Sequence, residues 1–241
     1  MKKFKHALAI GLCLLASVGF VFTGCSMFDN DDDDVTYAVV LKSSSSTVYQ
    51  GDDLNAAWAE IGDSGDYTLT LQPGTYSVTS GTQLAYNGAA NIKISGNTSK
   101  TYGADVIISG QGSDQSSSKT RCLMEIQGSG NLVLENVTFQ STFVRDDSTS
   151  STQAEVLGFD STGTVAAYNC AFYSHQDTMR TTGKSWFYKC YIEGDVDFIW
   201  MESSGIVALY EECEIVIADD EVTSAYILAP RATIATKMGK G

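Results

Sequence analysis

From Tyr67 onward, apolar and polar positions alternate over short stretches: "YTLTLQPGTYSV", "NIKISG", "DVIISG", "CLMEIQG" and "NLVLENVTF", most of them running into glycine or a polar turn. A period of two over a few residues, bounded by such turns, predicts half-buried strands. Ahead of them, "DDLNAAWAEIG" sets Leu54, Ala57, Trp58 and Ile61 at helical spacing behind the N-cap candidates Asp52 and Asp53, which predicts one short amphipathic helix. The later segments repeat. "LENVTF" (134–139), "AYNCAF" (167–172), "FYKCYI" (187–192) and "YEECEI" (210–215) align with apolar first and sixth residues and a small apolar or cysteine fourth. Their last residues, Phe139, Phe172, Ile192 and Ile215, are 33, 20 and 23 positions apart. Recurrence near 20 to 23, with one coil swollen by the insertion "RDDSTSST", predicts an all-β, single-stranded parallel β-helix whose coils stack, with the helix capping one end. An antiparallel sandwich is the competing architecture. It does not explain why Val137, Cys170, Cys190 and Cys213 fall in one column.

Composition agrees with many short strands: 22 glycines, only 2 prolines, and abundant serine, threonine, valine and tyrosine in 241 residues. That length suits one folded domain, expected over residues 51–241. The first 24 residues, three lysines followed by an apolar run from Ala7 to Phe22 and then Thr-Gly, read as an export signal too short to span a membrane. The Gly24-Cys25 junction resembles a bacterial lipoprotein signal, which would make Cys25 the lipid-bearing residue and place the protein in the cell envelope, on the outer surface or the periplasmic face. Plain secretion is the alternative. Residues 25–50, with "SMFDNDDDD" and "KSSSS", are expected to be a solvated tether. Loss of residues 1–24 leaves 12 basic residues against 29 acidic ones, a net charge of −17, which offers nucleic acid no basic patch.

The coil spacing also gathers chemistry. Gln153, Gln176 and Asp197 are separated by 23 and 21 positions, and Asp177 precedes Asp197 by 20. All four are expected on one face over three consecutive coils. With coils about 4.8 Å apart, two carboxylates about 5 Å apart repel by about 3 kcal/mol at an effective dielectric of about 20. One should ionise while the other keeps a proton, which pairs a nucleophile with a general acid. Two amides add donors for a developing oxyanion. Each acid taken alone is as well explained by a turn or a strand end.

The same residues carry a resemblance. "TQAEVL" (152–157), "SHQDTMR" (174–180), "FYKCYIEGDVDFIW" (187–200) and "ALYEECEI" (208–215), with "LQPGTY" (71–76) as the opening strand, resemble the successive signature segments of pectin methylesterases over residues 52–241. The resemblance implies a right-handed, pectin lyase-like β-helix that hydrolyses the methyl esters of galacturonate units in pectin and releases methanol, with neither metal nor cofactor. It implies Asp197 as nucleophile, Asp177 as general acid and then base, and Gln153 and Gln176 as oxyanion donors. Trp200 occupies the place of a phenylalanine, and Met201 that of a glycine. The family's downstream arginine and tryptophan, in a Gly-Arg-Pro-Trp-like segment, have no counterpart before Gly241, so the chain is expected to lack C-terminal coils of a longer enzyme.

Other readings stay open. Histidine-based nucleophilic catalysis has only His175 to draw on, a residue placed to touch substrate or to face solvent. Tyr173 and Trp200 are candidates for stacking on sugar rings, although core packing is the commoner role for such aromatics. Cys122, Cys170, Cys190 and Cys213 lack the paired close spacing of a zinc site. The coil spacing allows a Cys170–Cys190 disulfide, and buried free thiols are the alternative. A two-carboxylate glycoside hydrolase and a non-catalytic pectin-binding solenoid compete with the esterase. The protein is expected to act as a monomer that meets a membrane only through its lipid.

Overall fold

The computed structural model describes residues 36–112, 120–144, 153–202, 206–218 and 224–230. The expected export signal over residues 1–24, the expected lipid-bearing Cys25 and the insertion 145–152 lie outside the described residues. Three sheets wind around one core. The first runs from Val207–Glu211 through Lys184–Tyr188, Thr164–Tyr168, Leu132–Glu135 and Asn91–Gly96 to Asp66–Leu71, all parallel. The second and third sheets have six parallel strands each, and each coil contributes one strand to every sheet. The architecture is the right-handed parallel β-helix, with six coils among the described residues. The repeat read from the sequence appears residue for residue: Phe139 pairs with Phe172, Phe172 with Ile192, and Ile192 with Ile215.

Inward positions stack into columns. Leu41, Leu69, Ile94, Leu134, Ala167, Phe187 and Tyr210 form one such ladder. The Phe187 and Tyr210 rings stack at 5.1 Å, and Phe139 and Phe172 at 5.5 Å. Each fully buried large apolar side chain contributes about 1.5–3 kcal/mol, so the repeat is held mainly by this column. The helix is Leu54–Ala59. Asp53 caps it, its Oδ1 accepting from the amides of Asn55 at 2.8 Å and Ala56 at 3.2 Å. Leu54, Ala57 and Trp58 are buried, and the Trp58 indole donates to the Ala85 carbonyl.

One expectation is corrected, and one open alternative is decided. The stretch assigned to a tether is structured from Val39: Val39–Ser43 and Ser46–Gly51 form an antiparallel hairpin that extends the first sheet beyond Asp66–Leu71. Val39 and Leu41 are fully buried, and the serine run supplies the turn at Ser44 and Ser45 and the strand residues that flank it. The Cys170–Cys190 disulfide is absent, and both thiols are free and buried. Inward Cβ atoms of directly stacked parallel strands lie about 4.8 Å apart, whereas a disulfide draws them to about 3.8 Å. Cys170 instead donates to the Tyr168 carbonyl at 3.3 Å, and burial pushes its thiol up to about 12.

Candidate active site

The turn from the second to the third sheet in the fourth coil reads Ser174-His175-Gln176-Asp177-Thr178. Ser174 Oγ donates to the Ala154 carbonyl in the coil before, and Thr178 Oγ1 donates to the Glu193 carbonyl in the coil after, at 2.9 Å. The turn is thereby clamped from both sides. Gly194 permits this approach, since a Cβ there would lie 2.6 Å from Thr178 Oγ1 and 2.3 Å from Phe198 Cβ. Asp177 and Asp197 both adopt left-handed backbone, φ 60° and 52°. Aspartate is among the few non-glycine residues that tolerate this conformation. Asn136, Asn169, Lys189 and Glu212 share it in a column of turns, so positive φ alone does not mark the two acids.

The register gathers the four predicted residues. Gln153 and Gln176 form a parallel bridge, and the Asp177 amide donates to the Val196 carbonyl at 2.9 Å. Beyond the acids, Met179 pairs with Ile199 and Arg180 with Trp200, preserving the 20-residue offset. Gln153, the Gln176-Asp177 pair and Asp197 therefore occupy three consecutive coils.

The side chains add a contact that the spacing did not show. Gln153 Nε2 donates to Asp177 Oδ2 at 2.6 Å, so one N–H of this amide serves the acid. Asp177 is only 2% exposed. The same oxygen accepts from Arg121 Nη2 at 3.2 Å, and Arg121 Nε donates to Glu155 Oε1 at 2.5 Å. The Arg121 guanidinium lies 4.7 Å from the Trp200 ring centroid, and that of Arg180 lies 5.8 Å away. Arg180 grips both oxygens of Asp160 at 2.7 and 2.6 Å, and reaches Glu125 at 3.3 Å. It does so by lying across Gly158, where a Cβ would come within 3.0 Å of its Nη2.

Glu155 lies fully buried beneath this layer. Burial pushes its carboxyl up to about 7, against the opposing pull of Arg121 and Arg180. Among the described residues its Oε2 has no hydrogen-bond partner. Nothing in the spacing pattern pointed to Arg121, Arg180 or Glu155. One signal was present: Glu155 is an acid inside the apolar run "AEVLGF", as Asp197 is inside "DVDFIW".

The predicted substrate contacts separate. Trp200 is 8% exposed and covered by the two guanidinium groups, leaving little ring face for a sugar. His175 Nδ1 lies 3.6 Å from the fully buried carboxylate of Asp195. Tyr173 sits in the second sheet with its ring 5.1 Å from that of Tyr191, whereas Asp197 is in the third.

A sequence model of the family described as Pectinesterase matches residues 54–235. The chain belongs to the pectinesterase family. Among its relatives, probable pectinesterase 67 of Arabidopsis thaliana is 33% identical over 78 residues, 32% of this chain and 22% of the relative. Probable pectinesterase A of Aspergillus fumigatus is 36% identical over 83 residues, 34% of this chain and 21% of that protein. In fold, the chain is similar to pectin methylesterase PemA from Erwinia chrysanthemi, with a TM-score of 0.62 at 22% identity over 80% of this chain and 60% of that one. A pectin methylesterase in complex with hexasaccharide VII gives 0.58 at 21% identity, over 78% of this chain and 59% of that one. The matched stretches thus span about a fifth of the curated relatives and about three-fifths of the solved structures.

Proposed function

We propose that this chain is a carboxylic ester hydrolase that removes methyl esters from the galacturonate units of pectin. Family membership supports the substrate class. The observation that carries the mechanism is the register that sets Asp177 directly over the Asp197 coil, through the Asp177 amide and the Val196 carbonyl at 2.9 Å. In this reading an Asp197 carboxylate oxygen attacks the ester carbonyl carbon, and the carbonyl π electrons move to oxygen. The Gln176 amide faces that oxyanion, joined by the second N–H of Gln153 Nε2 while its first stays on Asp177. Collapse re-forms the carbonyl and breaks the bond to the methoxy oxygen, which leaves as methanol with the proton from Asp177. Water then gives a proton back to Asp177 and attacks the anhydride on Asp197, which releases the acid product and restores both carboxyl groups.

Asp177 must enter this cycle protonated. The test is methanol release from methylated pectin by the parent chain and by Asp197→Asn. Methanol from the parent, with a loss of at least about 10³-fold in the variant, is the expected outcome. New reducing ends in place of methanol would favour a glycoside hydrolase. Retention of pectin without either product would favour a binding solenoid.

A further inference from the structure

We propose that Arg121 is the positioning residue for Asp177: it reaches across a coil to one oxygen of this acid and so sets the orientation of its carboxyl group for the reaction. Arg121 immediately precedes the strand Cys122–Gly128, and Cys122 pairs with Glu155, the residue two after Gln153. Asp177 belongs to the coil beyond that one. Only a long side chain spans this gap, and the arginine is held along its path. Its Nε donates to Glu155, itself fully buried, and its guanidinium face lies against Trp200. Nη2 is then aimed at Asp177 Oδ2, at 3.2 Å.

The geometry needs arginine. A planar fork addresses two carboxyl groups through different nitrogens while its face packs on an aromatic ring, and a lysine ammonium provides a single point charge without that face. Asp177 Oδ2 receives Arg121 and Gln153 together, and these two donors set the orientation of the carboxyl group that exchanges a proton with methanol or water. This arginine comes from an upstream coil and engages Asp177. It is therefore distinct from the family's arginine in the Gly-Arg-Pro-Trp-like segment, which lies downstream.

The kinetic part of the inference rests on the esterase reading. Arg121→Ala should lower kcat for methanol release about 10²-fold, the cost of a misplaced reacting group, with KM changed less than about threefold. Arg121→Lys should recover little of the loss, and millimolar guanidinium should restore part of kcat to Arg121→Ala. An unchanged kcat, or a loss confined to KM, overturns the proposal.

A double-mutant cycle of Arg121→Ala with Asp177→Ala, read by thermal unfolding, needs no turnover. The double variant should lose less than the two single variants combined, by a factor of about five or more in the unfolding constant. Additive losses overturn the anchoring. A parent chain that releases no methanol but shows the non-additive cycle overturns the esterase reading and leaves the anchoring standing.

Discussion

Glu155 has the most consequential environment of any single residue here. It is fully buried, its Oε1 faces Arg121 and Arg180, and burial raises its carboxyl from 4.5 to about 7. Between those values the folded chain holds a proton that the unfolded chain has released. The contribution of this group to stability is therefore complete below about 4.5 and is lost as pH rises through about 7. A shift of this size corresponds to about 3 kcal/mol at 1.36 kcal/mol per pH unit. Glu155→Gln should flatten the fall of Tm between pH 4.5 and 7, and an unchanged slope would show that another group titrates there. At this scale the sequence showed its acids and hid their partners. Asp177, Asp197 and Glu155 each break an apolar or turn pattern, whereas Arg121 looks like any isolated surface arginine until the coils bring it to Asp177.

At the scale of the element, the column of turns between the first and second sheets does most to keep the coils in register. Asn136, Asn169, Lys189 and Glu212 all have φ between 51° and 55°. The Asn169 side chain bridges three partners: its Nδ2 donates to Asn136 Oδ1 at 2.8 Å and to the Lys100 carbonyl at 3.0 Å, and its Oδ1 accepts from the Tyr102 amide at 2.7 Å. With about 1 kcal/mol for each hydrogen bond and about 1–2 kcal/mol for left-handed backbone, Asn169→Ala should cost about 4 kcal/mol. Asn169→Gly, which keeps the backbone free to adopt that conformation, should cost about 1 kcal/mol less. Equal losses in chemical denaturation would remove backbone strain from the account. The hairpin Val39–Ser43 and Ser46–Gly51 shows where element reading failed. Averaged with its acidic and serine neighbours, a five-residue strand vanishes into a polar composition, and only its pairing with Asp66–Leu71 buries Val39 and Leu41.

For the molecule as a whole, a solenoid coil is stabilised by the coils on either side of it. Among the described residues, the coil of Val207–Glu211, Glu214–Ile217 and Tyr226–Pro230 has such a neighbour on one side only. Leu209, Ile215 and Leu228 are 52, 41 and 53% exposed there. Amide exchange in these strands should be at least about tenfold faster than in Leu132–Glu135, which has coils on both sides. Equal protection would mean that something covers the exposed face. The two acids of the proposed site lie in the next two coils, so loosening at this end would reach Asp197 before Asp177.

The sequence by itself determined the winding. Inward residues must repeat once per coil to build a dry column, so the offsets of 33, 20 and 23 and the alignment of Gln153, Gln176, Asp177 and Asp197 were legible without coordinates. Only the tertiary structure decided what surrounds those residues: the approach of Arg121 and Arg180 to Trp200, the buried Glu155 beneath them, and the free thiols of Cys170 and Cys190. The physical reason is periodicity. Core packing imposes a repeat that can be counted along the chain, whereas a long polar side chain reaching across coils satisfies a local charge and leaves no repeat to count.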